Sequence, residues 1–129
     1  MNRAIFLDRD GTIIVDKGYL SDPEGIEFLP GILDDLRALQ DSGFMLIMAS
    51  NQSGIGRGYF TEKDYAAVQA RLDELLKSNG IAFTGYYYCP HAPDENCACR
   101  KPKPLMALDA AKTFNIDLAE SFYNRWQRQ

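Results

Sequence analysis

The 129-residue sequence predicts an α/β fold: a three-layer, Rossmann-like parallel sheet with helices on both faces. Three observations predict it. Short apolar runs alternate with segments whose apolar residues recur at helical spacing. The runs are nearly continuous in apolar character, as in strands covered on both sides. Each run is followed at once by a cluster of polar, chemistry-bearing residues.

In chain order, Ala4–Leu7 is an apolar run that stops at an acidic cluster, and reads as a strand entering a loop. Residues 31–42 carry Ile32, Leu33, Leu36 and Leu39 on one helical face, with Pro30 before and Gly43 after as start and stop signals. Residues 44–49 form the second apolar strand. Thr61 can cap a helix in which Tyr65, Val68, Leu72, Leu75 and Leu76 recur up to Gly80. Residues 83–88 read as a third strand, with Tyr86, Tyr87 and Tyr88 as strand and core residues. Residues 89–104 are a Pro- and Cys-rich loop, Leu105–Phe114 is a helix, and residues 121–123 open a fourth strand. The first strand is expected to be central. Ligands of such sheets sit beyond the carboxyl ends of the strands. The loops at 8–12, 50–58 and 89–102 should therefore meet at one edge.

Bulk properties narrow the function classes. Apolar residues at 46% and charged residues at 25% are ordinary for a globular domain with one core. A net charge of −4 argues against a nucleic-acid partner, which calls for a basic face. No run approaches the ~18 apolar residues of a membrane span. The opening MNRAIFLDRD lacks the apolar segment of a secretion signal, so the expected location is cytoplasmic, with no membrane partner. Thiols stay reduced there. The three cysteines cannot all pair and are read as metal ligands.

Asp8-Arg9-Asp10-Gly11-Thr12 places carboxylates two residues apart at a buried strand end, an expensive position unless a cation is present. Mg²⁺ suits one or two carboxylates plus phosphate oxygens. A solvated acidic loop is the other reading of these residues. Ser50-Asn51-Gln52-Ser53-Gly54-Ile55-Gly56-Arg57-Gly58 offers hydroxyl, amide and backbone donors able to surround a phosphate, or is simply a turn into the next helix. Cys89-x-His91 and Cys97-x-Cys99 gather every cysteine and the single histidine in one loop, a Cys₃His set suited to tetrahedral zinc. Four protein ligands leave no open position, which makes such a zinc structural. Arg100 and Lys101 follow it directly.

The run Ile5-Phe6-Leu7-Asp8-Arg9-Asp10-Gly11-Thr12 resembles the first motif of the haloacid dehalogenase superfamily, a strand ending in DxDGT. The segment from Asn51 to Phe60 resembles that superfamily's heptose-bisphosphate and histidinol-phosphate phosphatase branch, as does the Cys-x-His…Cys-x-Cys loop running into Arg100-Lys101-Pro102. The resemblance implies a Mg²⁺-dependent phosphatase acting on a small phosphorylated sugar. Asp8 would be the nucleophile and Asp10 the general acid/base, both helping to hold Mg²⁺. Ser50 and Lys101 would bind the transferring phosphoryl group, and Asp16, Lys17, Gly18, Tyr19, Asn51, Gln52, Ser53 and Arg100 the substrate. Cys89, His91, Cys97 and Cys99 would hold Zn²⁺. The implied reaction removes the C7 phosphate of D-glycero-D-manno-heptose 1,7-bisphosphate on the route to lipopolysaccharide heptose. Histidinol phosphate is the alternative substrate.

The resemblance covers residues 3–123 and then breaks. Arg125-Trp126 stands where the family carries a Gly-Asp whose acid binds Mg²⁺. The expectation is a single domain, 1–129, incomplete after about residue 123 and lacking the last helix and strand of the fold. Asp109 lies mid-helix and Asp117 reads as a cap, so neither replaces the acid. A rival reading is thus a zinc-bearing remnant that binds without turnover. The full family fold is expected to be monomeric, and an edge left open in the shorter chain would favour self-association.

Overall fold

The computed structural model describes residues 1–124. Its elements are β1 (Ala4–Leu7), α1 (Ile32–Asp41), β2 (Met45–Asn51), α2 (Ser53–Gly56), α3 (Glu62–Ser78), β3 (Gly85–Cys89), α4 (Leu105–Phe114) and β4 (Phe122–Tyr123). The strands form one sheet in the order β3-β2-β1-β4, every pairing parallel. β1 is interior, as the sequence predicts.

Alternation along the strands builds the layers. Leu7, Leu46 and Met48 face a core shared with Leu36 of α1 and Val68, Leu72 and Leu76 of α3. Ala4, Phe6 and Ile47 face the opposite way, against Ala107 and Ala110 of α4. One strand therefore supplies both cores, with period two. Tyr86 packs on the first core and Tyr87 on the second. Helix boundaries follow local chemistry. Gly31 caps α1 with φ of 79°, a left-handed conformation that favours glycine. Thr61 and Asp64 form a reciprocal capping box at α3. Asp117 accepts a hydrogen bond from Ala119 N, the capping role its sequence position implies.

Two strand boundaries differ from expectation by two residues. β2 runs on through Ser50 and Asn51, because these polar residues pair with Tyr88 and Cys89 of β3. β3 begins at Gly85; Phe83 is buried ahead of the strand, and Thr84 N already donates to Leu46 O at 2.8 Å. The ladder thus carries the phosphate-loop candidates to the strand ends. α2 is a further departure, a single helical turn within the segment expected to be loop.

β4 is short, and a side chain extends its pairing. Ser121 Oγ accepts from Ala4 N at 3.0 Å and donates to Asp117 O at 2.7 Å. Ala4 is fully buried. Ser121→Ala removes the acceptor of a buried N–H and should cost about 1–3 kcal/mol in urea unfolding. A change within about 0.5 kcal/mol, the range of a neutral surface substitution, would show that this bond contributes nothing.

Candidate active site

β1, β2 and β3 deliver their following loops to one edge of the sheet, where a polar cleft opens. Asp8, the residue after β1, lies on its floor with 13% of its side chain exposed. Lys101 reaches in from the Cys loop with its side chain 1% exposed and Nζ 3.4 Å from Asp8 Oδ1. Nζ also donates to Ala49 O at 3.0 Å, and Arg9 N donates to Asp8 Oδ1 at 2.9 Å. Burial nevertheless raises the Asp8 pKa above the usual carboxylate range; Lys101 and the Arg9 N–H pull it down, and Asp10 pushes it up. Burial disfavours the charged form more than these neighbours restore it. Carboxylate oxygens at the floor of a polar cleft are donors that a hard divalent cation takes, so Asp8 fits Mg²⁺.

Asp10 lines the cleft, yet both its carboxylate oxygens are engaged. Arg9 Nε donates to Oδ2 at 3.1 Å and Nη2 to Oδ1 at 3.2 Å. Gln52 Nε2 donates to Asp10 Oδ2 at 3.0 Å and to Ser50 Oγ at 3.1 Å. Arg9 is itself buried; its Nη1 donates to Gln69 Oε1 on α3 at 3.0 Å, and its guanidinium lies over the Tyr65 ring. Ser50 is buried at the end of β2 and does not line the cleft itself; it is linked to Asp10 through Gln52.

Asn51 faces the cleft but spends its amide on the neighbouring loop. Lys101 N donates to Asn51 Oδ1 at 2.9 Å, and Asn51 Nδ2 donates to Lys101 O at 3.3 Å. This two-point clamp fixes the backbone that carries the lysine. Gln52, Ser53 and Arg100 line the cleft as expected, and Arg100 Nη1 is buried without a hydrogen-bond partner. A buried guanidinium nitrogen with no acceptor suits an anionic ligand group.

On the opposite wall, Asp16 accepts from Gly18 N at 2.9 Å and turns the loop, so that Gly18 and Tyr19 reach the cleft. Gly54 makes room for Tyr19, since a Cβ there would lie 2.7 Å from Tyr19 Cδ1. Lys17 is not brought to the cleft. It pairs instead with Glu27 at 3.3 Å, where an acidic neighbour is within reach of its loop.

The Cys loop is only partly assembled as expected. The Sγ atoms of Cys89, Cys97 and Cys99 lie within 4.8 Å of one another, a thiol set compatible with a metal. Cys89 and Cys99 are joined here as a disulfide, and Cys97 Sγ lies 3.4 Å from Cys89 Sγ. Metal binding needs the thiolates, hence the reduced form. His91 does not join the cluster. Its Nδ1 sits 3.8 Å from the Glu95 carboxylate, at the end of the short turn Pro93–Glu95. Arg125 and Trp126, where the family pattern places Gly-Asp, lie outside the described residues.

The sequence reading passed over Arg9, Gln69 and Tyr59. Arg9 sits inside the DxD pattern, where only the acids draw notice. Gln69 occupies the core face of α3, and a polar residue at an apolar helical position was the available signal. Tyr59 packs against Tyr19 with ring centroids 4.6 Å apart, and carried no signal beyond its residue type.

The sequence profile of the polynucleotide kinase 3 phosphatase family matches residues 3–124. A D-glycero-beta-D-manno-heptose-1,7-bisphosphate 7-phosphatase of Helicobacter pylori (strain ATCC 700392 / 26695) is 51% identical over 122 residues, covering 94% of this chain and 70% of the relative. A protein of the same name from Yersinia pestis is 44% identical over 126 residues, covering 92% of this chain and 67% of the relative. The crystal structure of D,D-heptose 1.7-bisphosphate phosphatase from B. bronchiseptica, complexed with magnesium and phosphate, matches with a TM-score of 0.81 at 34% identity, over 92% of this chain and 66% of that one. A HAD-like phosphatase from Mesorhizobium loti matches with a TM-score of 0.83 at 36% identity, over 95% of this chain and 62% of that one. The chain belongs to this family of haloacid dehalogenase-like phosphatases, on the branch of the heptose-bisphosphate phosphatases. It spans 70% of the Helicobacter relative and 66% of the B. bronchiseptica structure.

The raised Asp8 pKa has a consequence for stability. The folded state favours the protonated acid, so Asp8's favourable contribution is complete below its unfolded value of 3.8. That contribution is lost as pH rises through the higher folded value. Ionised Asp8 therefore costs stability at neutral pH when no divalent cation is bound. In chelator, Asp8→Asn should raise the melting temperature at neutral pH, and the gain should fade as pH falls into the ordinary carboxylate range. An equal or lower melting temperature at neutral pH would contradict this electrostatic account.

Proposed function

We propose that this chain hydrolyses a phosphomonoester through an aspartyl-phosphate, with D-glycero-D-manno-heptose 1,7-bisphosphate as substrate and the C7 phosphate as the group removed. One observation carries the reading: a buried Asp8–Lys101 pair on the cleft floor, flanked by Asp10. A structural ion pair has no need of a second carboxylate or of an open polar cleft above it. The names of the relatives support the substrate, and Arg100's orphaned nitrogen supports an anionic one.

In the mechanism, an Asp8 carboxylate oxygen attacks phosphorus as the P–O bond to the sugar breaks. Lys101 Nζ and the Ser50 hydroxyl hold the phosphoryl oxygens. Asp10 gives its proton to the departing sugar oxygen, then takes one from the water that attacks the aspartyl-phosphate, freeing Asp8 and inorganic phosphate. Mg²⁺, held by Asp8 and the Asp10 backbone carbonyl, would supply charge neutralisation to the phosphoryl group. Asp16, Gly18 and Tyr19, with Gln52, Ser53 and Arg100, would surround the sugar. Asn51 acts chiefly by fixing Lys101. Cys89, Cys97 and Cys99 would hold a structural Zn²⁺. His91 would complete the set only after turning from Glu95.

Phosphate release from the heptose bisphosphate in the presence of Mg²⁺ tests the activity. The parent chain should turn over, and Asp8→Asn should not, because an amide cannot form the acyl phosphate. Turnover of Asp8→Asn at the parental rate would overturn the mechanism, and an inert parent chain would overturn the function.

The metal assignment is separately measurable. Chain purified under reducing conditions without chelator should carry about one zinc, the stoichiometry of a closed structural site. Cys97→Ser should lower zinc content and kcat together, because the same loop carries Arg100 and Lys101. Zinc-free chain with full activity would remove the metal from the account.

A further inference from the structure

Arg9 ties the acid cluster to the helical layer. Besides lying over the Tyr65 ring, its guanidinium donates to four oxygens. Two are the Asp10 oxygens, at 3.1 and 3.2 Å. The others are Gln52 Oε1 at 3.3 Å and Gln69 Oε1 at 3.0 Å. It is 1% exposed, so hydration cannot replace any of these partners. Gln69 is likewise buried, and its remaining amide hydrogens face Met48 Sδ at 3.6 Å, a weak acceptor. Its strong hydrogen bond is thus the one to Arg9. A two-pronged guanidinium–carboxylate pair is directional: it fixes the plane of the carboxylate as well as its position.

We propose that Arg9, and Gln69 acting through it, are positioning residues that set the orientation of the Asp10 carboxylate at the cleft wall. Neither touches the space a substrate would fill. Arg9 grips Asp10 from behind, and Gln69 fixes the far end of the guanidinium against α3. Gln52 closes the network on the cleft side by bonding both Asp10 and Ser50. The proton-transfer group and the phosphoryl-binding hydroxyl are thereby held in one frame. The catalytic meaning rests on the reading of Asp10 as the acid/base; the geometric claim does not.

Gln69 is the residue to change, because it lies outside the cleft. Gln69→Leu removes the oxygen that Arg9 Nη1 uses, whereas Gln69→Glu keeps an oxygen acceptor there. With heptose bisphosphate, Gln69→Leu should lower kcat by about tenfold or more, the scale of a small misplacement of a reacting group. KM and the affinity for inorganic phosphate should stay within about twofold, since Asp8 and Lys101 are untouched. Gln69→Glu should return kcat to within about threefold of the parent. A fall in kcat matched by loss of phosphate binding, with no recovery in Gln69→Glu, would mean a general structural role and overturn the proposal, as would an unchanged kcat in Gln69→Leu. Crystal structures of the full chain and of Gln69→Leu, or of Gln69→Met should the leucine variant not fold, decide the geometry without any assay. Asp10 should leave its contact with Gln52 in the variant. An Asp10 carboxylate that stays in place overturns the proposal even if the parent hydrolyses nothing, whereas an inert parent with a displaced Asp10 counts against the proposed function alone.

Discussion

The site depends on two buried cations that allow a pair of carboxylates to stand at the end of β1. Lys101 beside Asp8 and Arg9 beside Asp10 are each 1% exposed in their side chains. An uncompensated buried charge carries a penalty of several kcal/mol. A cation beside each acid therefore offsets part of what burial at this strand end costs. The two cations arrive by different routes. Arg9 comes from between the acids and turns back toward α3. Lys101 comes from the loop after β3, brought close only because β3 lies beside β2.

These two routes set the tasks of the last residues of β2. Ser50 and Asn51 continue the ladder with Tyr88 and Cys89, which fixes the start of the Cys loop against the phosphate loop. Asn51 then clamps Lys101 on both backbone groups. Gln52 faces the other cation, accepting from Arg9 and donating to Asp10 and Ser50. Asn51, the last residue of β2, and Gln52, the first residue after it, thus serve the two cations separately. The amides of Asn51 and Gln52 suit the task because each carries a donor and an acceptor.

Most of the fold was legible because its signals are local. Continuous apolar runs marked β1, β2 and β3, and the spacing of Leu36, Val68, Leu72 and Leu76 marked two helices. The acids and the Cys cluster were legible because paired carboxylates at a strand end are costly and clustered thiols are unusual, whereas the role of Lys101 was legible only through the family resemblance. What the sequence concealed depends on non-local geometry. Arg9 and Gln69 are sixty positions apart and meet only when α3 packs on the sheet. Lys17 was drawn to Glu27 across its own loop, an electrostatic preference that a motif does not encode. His91 lies beside Glu95, one short turn away, rather than with the thiols.

The Cys loop shows why a small domain would spend three thiols on one segment. Residues 90–104 contain little that can be buried; Ala92 and Lys101 are the buried members, and Lys101 is charged. The apolar support is a small cluster of Ala49, Cys89 and Met106, with Cys97 and Cys99 packed against it. That is too little surface to order a loop of this length against its conformational entropy. Hydrogen bonds at its two ends help: Gly56 N donates to Pro90 O at 2.8 Å, and Asn51 grips Lys101. Between those ends, Cys89, Cys97 and Cys99 bring their Sγ atoms within 4.8 Å of one another. A cross-link acts by removing disordered alternatives, and so needs no apolar surface. A metal bridging these thiolates would order the loop that bears Lys101 by chemistry that adds to the small apolar cluster beneath it.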